Sequence, residues 1–340
     1  MNQYTYTGPT GERAYFVYIP QNYRTGEAVP LVVMLHGCAQ KASAFAAGTH
    51  MNELAELHNF IVVYPQQSRS AHSYGCWNWF QPINQERDSG EAVLLAGIVQ
   101  EIVQQTAQWT IDQRRIYIAG ISAGGAMAGI LGATYPDVFA AIGIHSGIAY
   151  KAAQNVHMGV RVMRRGGPDA ILQEAFIQTA MGEHVRVVPS IVFHGTSDFT
   201  VAPINSDQVV QQWMKANMLL SQGAYSADFR QPDSIVRDKV QRGRAYEILT
   251  WNDKSGRSVQ ENWKISGMGH AWSGGKNGSY TDAKGPDASA AMYRFFMQHS
   301  LKGGKKHFVT TVEILHSSFW RNLVQRAIHK NPFRKPLPED

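Results

Sequence analysis

Cysteine is almost missing from these 340 residues. Cys38 and Cys76 are the only two, too few for a disulfide-stapled scaffold or a thiolate zinc site. They can form at most one bridge, closing a loop of about 38 residues worth on the order of 4 kcal/mol in the chain-entropy account. Otherwise they are two buried thiols. No run of eighteen apolar residues occurs, so no membrane-crossing helix is expected. No leader pattern opens the chain either: Met1 runs within a few residues into Ala14-Tyr15-Phe16-Val17-Tyr18-Ile19, which reads as a strand. That absence points to the cytoplasm, whereas a bridge between the cysteines would point to export or to a trimmed mature form. Excess charge is also missing from most of the chain. Of the net +6, residues 302–340 carry eight basic against three acidic side chains, which leaves the preceding 301 residues near +1. The basic character belongs to that extension and gives no ground for a nucleic-acid-binding body.

What is present is a chain that is 44% hydrophobic, enough for one large core over 1–301 with 302–340 as a basic extension. Short, continuous apolar runs at 30–35, 60–65, 116–119, 139–144 and 187–193 suit strands buried on both faces. Helical spacing recurs at 45–58, 90–106, 205–220 and 287–299. Hairpins are expected at 4–20 and, across Asn252 to Gly256, at 246–265. The fold class is therefore α/β, a mostly parallel central sheet with helices on both faces. Residues 150–183 read as a helical or irregular insertion. The loop 66–89, with Tyr74-Gly75-Cys76-Trp77-Asn78-Trp79-Phe80, is long and aromatic: either a wall of a substrate cleft or a loop anchored to the core by its tryptophans.

The apolar run at Ile116 leads into Gly120-Ile121-Ser122-Ala123-Gly124 and then small, helix-compatible residues. Strand, sharp turn and helix with glycine two places to either side of a serine is the nucleophile-elbow pattern of α/β-hydrolases. A serine hydroxyl is a poor nucleophile at neutral pH, so it requires an imidazole to take its proton and a carboxylate to hold that imidazole in one tautomer. In this fold the chain order is serine, acid, histidine, each on a loop at a strand's carboxyl end. Asp198, in His194-Gly195-Thr196-Ser197-Asp198, and His270, in Gly267-Met268-Gly269-His270-Ala271-Trp272-Ser273-Gly274-Gly275, satisfy that order. Asp207 falls within a helix, and Asp282 and Asp287 come too late. Among 13 histidines, His36 and His194 read as shapers of their own turns, and His145 precedes the acid. Acyl transfer also needs fixed N–H donors for the developing oxyanion. The turn His36-Gly37-Cys38 and the residue after the serine supply them as the amides of Cys38 and Ala123. Trp77, Trp79 and Trp272 are the expected substrate contacts. No metal or cofactor is called for.

Taken together, Leu35-His36-Gly37-Cys38-Ala39-Gln40, Cys76-Trp77-Asn78-Trp79-Phe80, Gly120-Ile121-Ser122-Ala123-Gly124-Gly125-Ala126-Met127-Ala128, His194-Gly195-Thr196-Ser197-Asp198 and the His270 loop resemble the polyhydroxybutyrate (PHB) depolymerase family of α/β-hydrolases. That family is related to the feruloyl and acetylxylan esterases of carbohydrate esterase family one. The resemblance implies a serine esterase acting on poly(3-hydroxybutyrate) or a related polyester through Ser122, Asp198 and His270, with Cys38 and Ala123 as the oxyanion hole. It also implies a Cys38–Cys76 bridge holding the aromatic loop beside that hole. A feruloyl or acetylxylan esterase is the alternative on the same fold; a peptidase, or a non-catalytic binding protein on a hydrolase scaffold, are others. No separate polymer-binding module of the kind that secreted depolymerases carry is expected within these residues. Instead, Val312, Leu315, Phe319, Leu323 and Ile328 fall near helical spacing. An amphipathic helix there would either dock on the body or contact a polymer granule or membrane surface.

Overall fold

The computed structural model describes residues 1–169 and 174–301. The helix and surface contact expected within 302–340 lie outside the described residues. Met1–Leu301 forms one compact unit.

Ten strands form one sheet: β1 (Asn2–Gly8), β2 (Gly11–Tyr18), β3 (Ala28–Leu35), β4 (Ile61–Pro65), β5 (Thr110–Ile121), β6 (Ala141–His145), β7 (Ser190–Gly195), β8 (Ser234–Lys239), β9 (Ala245–Asn252) and β10 (Ser258–Ile265). Their spatial order is β1-β2-β4-β3-β5-β6-β7-β10-β9-β8. The stretch from β4 to β10 is parallel throughout, and antiparallel pairs close both ends. This is the arrangement that the continuous apolar runs demand, because a parallel strand is covered on both faces. Along β3, Leu31, Val33 and Leu35 join one core cluster, and Val32 and Met34 join the other. The first cluster holds α3 (Gly90–Gln104), α4 (Ala123–Thr134) and α7 (Ile204–Leu220); the second holds α1 (Ala42–Thr49), α2 (Met51–His58) and α8 (Ala288–Phe296).

Because the central strands share one direction, the loops that follow them emerge along one edge. Register lines up their ends: Leu35 pairs with Gly120, Ile121 with His145, His145 with Phe193, and Gly195 with Ile265.

Two expectations need correction. The helix read over 45–58 is two helices, broken at His50, whose φ is 58°. The break turns the Gly48 carbonyl out to accept the Lys276 amide at 3.1 Å, a tertiary bond invisible to periodicity. The strand β8 was not expected at all; all six of its residues are exposed, so it carries no apolar alternation to read. The insertion over 150–183 contains α5 (Val156–Arg165) and α6 (Glu174–Met181).

Candidate active site

Ser122 occupies the one-residue turn between β5 and α4. Its backbone, at φ 58° and ψ −123°, is in a sparsely populated region that costs on the order of 1–3 kcal/mol and persists only where the surroundings impose it. Here they do. The Ser122 amide donates to the His145 carbonyl at 2.9 Å, and the flanking glycines stand where no Cβ fits. A Cβ on Gly120 would lie 2.5 Å from the Gly124 carbonyl carbon, and one on Gly124 would lie 2.2 Å from the Leu35 carbonyl oxygen. The motif's small residues are thus required by contact among β5, α4 and the end of β3.

Beyond β3, the His36 ring is buried and anchors the next turn. Its Nε2 accepts the Gln67 amide at 3.1 Å, so the proton sits on Nδ1 and is donated to the Gly37 carbonyl at 2.8 Å. Burial pushes its pKa down to about 4, which keeps the ring neutral at pH 7. The Gly37 amide donates to Gln40 Oε1 at 2.8 Å, and Trp77 Nε1 donates to the His36 carbonyl at 3.1 Å. Gly37 itself abuts the serine, since a Cβ added to it would stand 3.3 Å from Ser122 Cβ. Cys38 follows and is joined to Cys76 by a disulfide, while the Ala39 amide donates to the Tyr74 carbonyl at 2.8 Å. Two adjacent residues of this turn are therefore fastened to the aromatic loop. Ala123 opens α4, where an amide has no acceptor within the helix and lies at the positive end of its dipole.

Asp198 lies on the loop after β7, buried. Its Oδ1 accepts the amides of Thr200 and Val201, each at 2.9 Å, and its Oδ2 accepts Nδ1 of His270 at 2.7 Å. His194 Nε2 donates to the Val201 carbonyl at 2.8 Å and also lies 3.5 Å from Asp198 Oδ2. Burial works to raise the carboxyl's pKa, but the donors from His194, His270 and the Val201 amide outweigh it and hold Asp198 well below the usual carboxylate range. An ionised Asp198 fixes the His270 proton on Nδ1 and leaves Nε2 able to accept another.

His145, which chain order had set aside, ties these loops together. Its Nε2 accepts the amide of Ser273, three residues beyond His270, at 3.0 Å; its carbonyl holds Ser122; its ring stacks on Phe193 and Trp272. With Nε2 accepting, the proton is on Nδ1, 3.1 Å from Ser146 Oγ. Burial is the main cause that drives its pKa well below the ordinary histidine value, so it stays neutral.

The expected substrate contacts are placed differently. Trp77 and Trp272 are core residues: the Trp77 indole bonds to His36, and the Trp272 indole donates to Ser289 Oγ at 3.1 Å. Trp79 is 6% exposed and packs against Gly159 of α5. An indole is largely apolar with one donor, and once that donor is satisfied inside, nothing holds the ring at the surface. The aromatic loop is pinned from within by Glu91, which accepts from the Asn78 amide and side chain and from Gln67 Nε2, with Arg13 3.6 Å away. In the sequence Glu91 is merely an acid in a helix's first turn. Among the described residues, no group of three His, Cys, Asp or Glu side chains is placed to hold a metal ion.

A model of the esterase PHB depolymerase family matches residues 13–234. The chain belongs to this family. Poly(3-hydroxyalkanoate) depolymerase C of Paucimonas lemoignei is 35% identical over 71% of this chain and 54% of its own length. The poly(3-hydroxybutyrate) depolymerase of Ralstonia pickettii is 28% identical over 81% of this chain and 55% of its own. The chain thus spans about half the length of these two relatives. Acetylxylan esterase A of Emericella nidulans is 28% identical over 69% of this chain and 74% of its own. The solved acetyl xylan esterase from Aspergillus awamori superposes with a TM-score of 0.68 over 87% of this chain and 98% of that one, at 22% identity, and shares its fold. The architecture is that of the α/β-hydrolases, and the family is one of carboxylic ester hydrolases. The family match includes Ser122 and Asp198 but ends before His270. The role of His270 therefore rests on its bond to Asp198.

Proposed function

We propose that this family member is a serine carboxylic ester hydrolase with Ser122 as nucleophile, His270 as general base and acid, and Asp198 as the group that orients it. The observation that carries this reading is the 2.7 Å bond from His270 Nδ1 to a buried, ionised Asp198, on the loops after the neighbouring strands β10 and β7, in a sheet whose parallel strand β5 ends in the strained elbow serine. Ser122 Oγ attacks the ester carbonyl carbon while His270 Nε2 takes its proton. The carbonyl oxygen becomes an oxyanion received by the amides of Cys38 and Ala123. Collapse expels the alkoxide, which takes the proton back from His270, and leaves Ser122 acylated. Water then repeats the sequence and releases the acid.

The substrate proposed first is a 3-hydroxybutyrate oligomer or polymer, after the names of the two bacterial relatives. An acetylated polysaccharide is the second reading, after the name of the Emericella nidulans esterase, 28% identical to this chain. Rates on hydroxybutyrate oligomers, amorphous polyhydroxybutyrate emulsion, acetylated xylan and methyl ferulate, from one preparation, separate these substrates. Ser122→Ala is expected to abolish turnover with the fold intact; substantial remaining hydrolysis would remove the assignment.

A further inference from the structure

Burial of the three tryptophans leaves open which surface meets the ester beside His270. We infer that Tyr280 is a specificity-determining residue, an aromatic wall for the alcohol half of the substrate; this rests on the reading of His270 as the catalytic base and acid. Tyr280 is 46% exposed, and its ring stands edge-on to the His270 imidazole, with centroids 6.2 Å apart and planes at 79°. It is therefore a large aromatic surface that both adjoins His270 and remains open to a ligand. Its backbone has φ 56°, in the left-handed region that a bulky side chain occupies only at a cost. Two hydrogen bonds and the ladder that one of them belongs to hold the segment in that conformation. The Trp272 amide donates to the Tyr280 carbonyl at 2.7 Å; the next residue, Thr281, pairs with Trp272 in a two-stranded ladder; and Gln40 Nε2 donates to the Ser279 carbonyl at 2.9 Å. Gln40 Oε1 in turn accepts the Gly37 amide. One side chain thus fastens the Tyr280 loop to the turn that holds the Cys38 amide, and the Trp272 ladder fastens it to the His270 loop.

The location assigns the half of the substrate. In acylation His270 returns its proton to the departing alcohol, so a ring beside His270 meets the alcohol and not the acyl group. An aromatic face takes C–H-rich surfaces, which a sugar ring and a hydroxyacyl chain both present. Two substrate pairs with a common acyl group distinguish them: methyl acetate against acetylated xylobiose, and methyl 3-hydroxybutyrate against the linear 3-hydroxybutyrate dimer, whose one ester bond has the same acyl group. Tyr280→Ala is expected to raise KM for the large-alcohol ester of the pair that is turned over by about five- to tenfold. Its kcat, and both constants for the methyl ester, should stay within about twofold, and Tyr280→Phe should behave as the parent because the ring is kept. An equal loss on both esters of a pair, or no change on either, would overturn the inference while Ser122→Ala stays inactive. Turnover that persists in Ser122→Ala would instead remove the catalytic reading, and this inference with it.

Discussion

Replacing Asp198 by asparagine changes one atom and tests the proposed mechanism at its most constrained point. An asparagine can keep its oxygen for the amides of Thr200 and Val201, both at 2.9 Å from Oδ1 in the parent. Its nitrogen must then face His270 Nδ1 and His194 Nε2, which are donors toward Oδ2 in the parent. Two donors cannot bond to each other. His270 is driven to the tautomer that carries its proton on Nε2, where it can no longer receive one from Ser122. The loss expected from a mis-set tautomer with geometry preserved is about 10⁴-fold in kcat, or about 5.5 kcal/mol of transition-state stabilisation. KM for a short ester should change little. Steady-state hydrolysis of a soluble ester, with thermal unfolding as a control for folding, measures this; a kcat within about tenfold of the parent would refute the argument. Acid titration gives a second readout with a defined sign. The folded state depresses the Asp198 pKa below its unfolded value of about 3.9. Its contribution to stability is therefore complete above that pH and is lost as pH falls toward the folded value. The parent's unfolding temperature should fall more steeply below about pH 4 than that of the asparagine variant.

Other perturbations act on the supports of the same residues. His145→Phe keeps the ring between Phe193 and Trp272 but leaves the buried Ser273 amide without its acceptor, so stability should fall by about 1–3 kcal/mol and kcat should fall with it. His145→Gln, which restores an acceptor, should recover much of both; equal behaviour of the two variants would deny His145 a positioning role. Replacing Cys38 and Cys76 together by serine should cost up to about 4 kcal/mol from the freed loop and lower kcat as the Cys38 amide gains freedom. Unfolding and turnover measured with and without reductant check this, and a parent indifferent to reductant would contradict it.

The parallel core was readable because its strands are continuous apolar runs, and the elbow because Gly120 and Gly124 answer to backbone contacts that no other residue permits. Asp198 and His270 followed from chain order and from the strand ends that precede them. Less could be read where a residue's role depends on partners distant in sequence. His145 is linked to Ser273 across 128 positions and Gln40 to Ser279 across 239, and neither pairing leaves a local pattern. The tryptophans misled for a related reason. Aromatic residues in a long loop are compatible both with a wall and with an anchor, and only the partners of Trp77 and Trp272, deep in the core, decide it. The exposed strand β8 escaped because backbone pairing and polar contacts with β9, such as Arg237 with Glu247, maintain it without a buried apolar face.

The position of β10 in the sheet bears on how the protein comes into being. This strand inserts between β7 and β9 and pairs in parallel with β7, some seventy residues earlier, and its loop carries His270. Like the pairing of β3 with β5, this one closes a long loop at an entropic cost, and of the two it is the one that must await residues synthesised later. A nascent chain that has completed the elbow and the Asp198 loop still lacks the proposed base, His270, until residues near the end of the compact unit have joined the sheet. Any turnover that depends on His270 is thus withheld from partly synthesised or partly folded molecules. The onset of esterase activity during refolding should lag behind the recovery of helical signal.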